Sequence, residues 1–334
     1  MKKIHLSIRT LGVLVILLFC GLFARATSIE VITTFDYPGS SFTRPQKIND
    51  GGTSAGIFIE DATGATKGFT RAQRGKLSNP IVEPNDTAGL TEVRGINNRR
   101  QICGDYTGSD GAFHGFFLDH RHFIEFDIST VFEIVLGINT ASDFSGSFID
   151  DADGIQKGFV DIGGVLTSVE IPGASATLTY QINDSNESTG YYIDSGDGLT
   201  HGYQRAANGA LTFPIDPAGS TGTILFGNNN SNWVVGRFAD EAGVTHALFF
   251  TTPGDFVIFD YPGSFFTSFN GINSDGYIVG RYADASGLEH GLLARVTVTS
   301  SDKPVNNTSY TFPAGAIRPV APAPFKGGVA VPAY

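Results

Sequence analysis

Four of the seven histidines, His114, His201, His246 and His290, each stand before a small residue, and Lys67 and Lys157 take the same place elsewhere in the chain. Imidazoles are common zinc ligands, but one ion would need several of them within a few ångströms. Their wide spacing puts them on separate elements. Each is expected to pair with a carboxylate or turn backbone of its own hairpin, His290 with Asp284 for instance. Two hairpins, Asp150-Asp151-Ala152-Asp153-Gly154 and Asp194-Ser195-Gly196-Asp197-Gly198, offer oxygens on a tight loop, as Ca²⁺ requires. Neither carries the full alternating Asp series or a following bidentate Glu, and Asp and Gly are also ordinary turn residues. No cofactor is expected, with calcium the one ion left open. No nucleophile elbow, His-Glu-x-x-His, phosphate loop or sialidase Asp box occurs, so no residue is assigned a catalytic role.

An internal repeat must position these groups. Asn49, Asn97, Asn139, Asn183, Asn229 and Asn273 recur at intervals of 48, 42, 44, 46 and 44 residues. Seven residues after each comes a glycine (Gly56, Gly104, Gly146, Gly190, Gly236, Gly280), and two further on an aromatic (Phe58, Tyr106, Phe148, Tyr192, Phe238, Tyr282). Each unit holds about four short β-branched or aromatic runs, separated by Asn-x-x-Gly, Asp-x-x-Gly and Pro-Gly-Ser turns that supply positive φ. About four strands in about 44 residues is the content of a propeller blade. The expected fold is therefore all-β, a six-bladed β-propeller of four-stranded blades, with a linear β-solenoid as the competing architecture. The glycine should let the neighbouring sheet approach, and the aromatic should fill the gap between blades. The last unit ends near Val298 with three strands, while Glu30 to Phe35 precedes the first. That N-terminal strand is expected to complete the last blade and close the ring. The boundaries read as signal peptide 1–26, propeller 27–298 and a flexible Pro/Ala-rich tail 299–334.

Twelve to fourteen residues before each anchor an acid recurs, as Asp36, Glu83, Asp127, Glu170, Asp216 and Asp260. These acids could form a carboxylate ring, but a carboxylate before a turn ordinarily accepts backbone N–H groups two residues on, and capping is expected. On the same face Tyr37, Arg44, Tyr261 and Phe265 offer loop surface that could stack on sugar rings. The most divergent connections, 79–95 and 120–137, carry Glu92, Arg94, Arg121 and His122. Those eight residues are the candidate ligand-binding set.

The chain begins with Lys2, Lys3 and Arg9, an apolar run from Leu11 to Ala24, and Ala24-Arg25-Ala26, the form of a cleaved signal peptide. The apolar run is short for a membrane helix of about 20 residues. Export to the periplasm or the cell exterior is expected, with no membrane span after cleavage. Loss of residues 1–26 leaves 18 basic groups of 22 against 33 acids, moving the net charge from −11 to −15. Nucleic acid is an unsuitable partner for such a chain. Only Cys103 then remains, so an intramolecular disulfide is excluded. The motif Gly-Ile-Asn-x-x-Gly-x-Ile-Val-Gly-x-Tyr-x-Asp-x-x-Gly-x-x-His-Gly is carried best by Gly271 to Leu293, with Phe259 to Ser264 before it and His-Gly-Phe within Gly95 to Leu118. Over residues 35–295 the chain resembles the HAF-type extracellular repeat of bacterial secreted proteins. The resemblance implies an extracellular repeat protein and brings no established reaction. The favoured function is a monomeric, non-enzymatic binding scaffold at the cell surface, its partner a polymer, glycan or protein. A secreted carbohydrate-active hydrolase or lyase is the alternative.

Overall fold

The computed structural model describes residues 25–126, 128–129 and 132–300. The expected signal peptide up to residue 24, the expected tail from residue 301 and Asp127 lie outside these. The described residues form strands and turns without an α-helix. The strands fall into six consecutive antiparallel units of a β-propeller, each running inner, second, third, outer. The inner strands are Phe42–Ile48, Glu92–Ile96, Glu133–Ile138, Ala174–Ile182, Ser220–Asn228 and Phe266–Ile272. Unit 1 departs from the plan, its outer strand reduced to isolated bridges at Leu77 and Ile81.

The N-terminal strand Arg25–Phe35 pairs antiparallel with Glu289–Ser300, the third strand of unit 6, with Glu30 opposite Arg295 and Phe35 opposite Gly291. It supplies the outer strand that unit 6 lacks, as expected, and the pairing runs from residue 25 to 300, two residues beyond the expected 27–298 at each end. Closing the ring in this way covers an edge that would otherwise template association.

Every inner strand bulges against its second strand, at Pro45/Lys47 in unit 1 and at Phe269/Gly271 in unit 6, for example. The bulge explains the recurring glycine and corrects its expected role. A Cβ on Gly190 would fall 1.9 Å from the carbonyl oxygen of Leu178, and one on Gly56 2.2 Å from that of Arg44. The element that approaches is thus the inner strand of the same sheet and not the neighbouring sheet. The aromatic two residues on does join units. Tyr106 packs with Ala55 of the unit before it, and Phe148 with Cys103. Apolar cores accordingly lie between consecutive sheets, where facing sheets bury side chains from both sides.

At one end of the central channel the six anchor asparagines form a closed ring. Each Nδ2 donates to the backbone carbonyl of the next anchor at 2.9–3.3 Å, and Asn273 returns to Asn49 across 224 residues. Each Oδ1 accepts the backbone N–H four residues on, holding the turn between inner and second strands. Asn carries its donor and its acceptor on separate atoms of a short side chain, so one amide makes both bonds at once. The residues after the anchors extend the ring outward, with the Ser274 amide on Asp50 at 2.8 Å and the Thr140 amide on Asp184 at 2.7 Å.

Candidate binding site in the central channel

Regularity ends at the opposite end of the channel. Three residues before the anchors the inner strands present Gln46, Arg94, Leu136, Tyr180, Phe226 and Asn270, no two alike. Between the recurring glycine and aromatic of the second strands stand Ile57, Asp105, Ser147, Tyr191, Arg237 and Arg281. Units 3, 4 and 5 contribute an apolar wall of Ile134, Leu136, Leu178 and Phe226. The remaining wall is cationic. Arg44, Arg94 and Arg281 line one recess together with Gln46, Tyr180 and Asn270.

Aromatic rings space the guanidiniums. Arg44 lies 4.9 Å from the Phe42 centroid, and Arg281 lies 5.7 Å from Phe42 and 4.7 Å from Phe266. Arg237 lies 5.2 Å from Phe266 and 5.5 Å from Phe226. The cation–π attraction holds each guanidinium beside a ring and leaves its N–H groups to other partners. Arg94 uses its edge on Glu92 and, at 2.8 Å, on Asp105, while Arg281 pairs with Glu289. The side chains of Arg44 and Arg237 form no ion pair or hydrogen bond with any described residue, and the buried Nε of Arg44 is unsatisfied. Burial lowers the pKa of Arg44 well below its ordinary value, with the charges of Arg281 and Arg94 adding to the effect. Burial first, then neighbouring arginine, brings Arg237 and Arg281 to about 10. Deeper in the channel Lys47 donates to the carbonyls of Phe226 and Asn270, and burial lowers its pKa to about 7.

The eight sequence candidates divide. Arg44, Glu92 and Arg94 come together here, on inner strands and not on loops as expected. Tyr37 is instead buried, stacked 3.7 Å from Phe58 with its hydroxyl on the Ser78 carbonyl, and Tyr261 stacks 3.7 Å from Tyr282. Those stacks cover ring faces that were expected to meet sugars. Phe265 is partly buried, and its carbonyl accepts the Thr245 amide. Arg121 and His122 are exposed where the third strand of unit 2 turns into its outer strand, and neither lines the recess. Arg237, Arg281 and Glu289 were not singled out from sequence. Their signal was an arginine between an obligatory glycine and an aromatic, at a position occupied in other units by Ile, Asp, Ser or Tyr.

The repeat histidines stay apart and are clamped by acids. His290 meets Asp36 at 2.9 Å and Asp284 at 3.3 Å, and His246 meets Asp260 at 2.8 Å and Asp240 at 3.4 Å. His201 lies between Asp216 and Asp197 in the same way. Burial alone would lower these pKa values, but the paired carboxylates outweigh it and all three are raised. The once-per-unit acid is therefore chiefly a partner for the third-strand base. The expected backbone cap two residues on is made by Glu83, to Asn85. In the Asp150 hairpin the ammonium of Lys157 stands 2.8 Å from both Asp150 and Asp153, in the position a cation would take. Among the described residues no group of three or more His, Cys, Asp or Glu is arranged to hold a metal ion.

No family model and no curated protein matches the chain. Solved structures do. A putative TolB from Agrobacterium tumefaciens superimposes with a TM-score of 0.55 at 13% identity, covering 82% of this chain and 99% of that one. AofleA from Arthrobotrys oligospora gives 0.53 at 10% identity, covering 84% and 91%. At such identities the likeness concerns the fold. No helix among the described residues is long and apolar enough to cross a membrane.

Proposed function

We propose that the chain is an exported bacterial scaffold of HAF-type repeats that binds a polymer, glycan or protein partner at the cell surface without catalysing a reaction. One observation carries this reading: side chains repeat wherever units grip one another and cease to repeat at a single mouth of the channel, where the arginines gather. A guanidinium donates hydrogen bonds but stays protonated, which suits recognition better than proton transfer. The carboxylates at that mouth, Glu92, Asp105 and Glu289, are each engaged by an arginine. The basic start, apolar run and Ala24-Arg25-Ala26 support export, and the repeat motif supports the HAF family.

The test is a binding screen of residues 27–334 against glycans and cell-envelope fractions, with and without calcium, alongside an assay for reducing sugar and unsaturated products. Saturable binding without turnover is expected. Turnover abolished by Glu289→Gln would replace this reading with the hydrolase or lyase alternative.

A further inference from the structure

Four guanidiniums, of Arg44, Arg94, Arg237 and Arg281, face three carboxylates at the mouth of the channel, in a protein whose net charge is −11. Burying unpaired charge is costly, and a site retains such charge most readily where a partner arrives to neutralise it. Arg44 and Arg237 have no anionic partner, and they are partly exposed while Arg94 and Arg281 are buried. The two groups lacking a partner are thus the two an incoming molecule can reach. A phenylalanine ring centroid lies 4.9 Å from the Arg44 guanidinium and two others lie 5.2 and 5.5 Å from that of Arg237, and the planar fork of N–H edges on each side chain has no acceptor among the described residues. Such edges match a flat, bidentate acceptor. One excess positive charge matches a single negative one. Phe42 and Phe266, both partly exposed, add apolar surface for the body that carries the charge.

We infer that this mouth of the channel is a carboxylate-binding site, in which Arg44 and Arg237 receive the carboxylate of an acidic sugar or a small organic acid. The inference rests on the binding-scaffold reading and names the chemistry of its ligand. Glu289, paired with Arg281, also favours the charged form of both guanidiniums through its field and competes with the ligand for them.

The test is calorimetric titration of residues 27–334 at constant ionic strength with galacturonate, galactose, acetate, sulfate and polygalacturonate. Galacturonate is expected to bind and galactose not to. Arg44→Gln and Arg237→Gln should each weaken galacturonate roughly tenfold to hundredfold, as loss of a charge-assisted hydrogen bond implies. Glu289→Gln should tighten it. Acetate binding as well as galacturonate identifies a free organic acid as the source, and polygalacturonate binding more tightly per site identifies a polymer; both support a carboxylate site. Sulfate binding as tightly as galacturonate, or galactose competing with it, overturns the inference. Should a variant fail to fold, the Nε–Hε resonances of Arg44 and Arg237 in the unsubstituted protein provide the measurement. If neither moves on adding galacturonate, the site is not there. A positive envelope screen beside that negative result would leave the scaffold reading standing and remove only the carboxylate.

Discussion

The two ends of the channel are built from the same strands and follow opposite rules. At the asparagine end six copies of one residue make six copies of one bond, each amide satisfied twice over. At the arginine end the inner-strand position three before the anchor holds a different residue in every unit, the facing second-strand position repeats only as Arg237 and Arg281, and two guanidiniums have no counter-ion among the described residues. A closed, fully paired network stabilises a unique arrangement. An under-paired cluster of like charge opposes folding. The difference teaches that stability is concentrated at one end, and that a tolerated cost marks the other as the place for a ligand.

The largest effect should come from breaking the regular end. Asn183→Ala removes a donor to Asn229 and Glu187 and an acceptor for the amides of Ser185 and Glu187. The expected loss is about 3 kcal/mol, read by urea denaturation. At the irregular end substitutions should act in the opposite direction. Lys47 titrates near 7 when folded, against 10.5 ordinarily, because burial disfavours its charge. Between those values the unfolded chain holds a proton that the folded chain has released, so stability rises with pH across the window. Lys47→Met should remove that slope and raise stability by about 2 kcal/mol at pH 7, measured as denaturation midpoints at pH 7 and 10. Arg44→Met should raise stability by about 1 kcal/mol in the absence of ligand while abolishing galacturonate binding; a destabilised variant would mean that Arg44 is structural.

The smallest effect belongs to the histidine clamps of the third strands. Folding raises the proton affinity of His246, so its contribution is complete below about pH 6.5 and disappears as pH rises through the folded value. His246→Gln should therefore cost under about 1 kcal/mol at pH 5.5 and close to nothing at pH 8.5, by thermal melts at the two values.

What the sequence made legible follows the same division. The asparagine, glycine and aromatic positions could be read because one constraint, met six times, leaves one residue type six times. The closing strand was legible through the near identity of Asp36-Tyr37-Pro38-Gly39-Ser40 and Asp260-Tyr261-Pro262-Gly263-Ser264. The bulge in every inner strand was not, because it is a matter of register, and the glycine that accompanies it fits a close approach from either sheet equally well. Without it the glycine was assigned to contact between sheets, and Arg44 and Arg94 were placed on loops. Arg237 and Arg281 lay inside the best-matched pair of repeats, where agreement between two units concealed their disagreement with the other four. A search for repeats averages over the very positions at which units differ, and at a binding site the differences carry the information.

The strand from Arg25 to Phe35 has a consequence for how the protein is made. It is the first described segment to leave the ribosome, yet its partner Glu289–Ser300 is the last. The contact of Asp36 with His290 spans 254 residues of chain. Contacts of such separation form late and slowly. Until then the leading strand carries an unpaired edge, and synthesis that stalls before the sixth unit leaves a ring unable to shut. A chain truncated ahead of Glu289 therefore exposes an unpaired edge on its first described strand, far in sequence from the truncation itself.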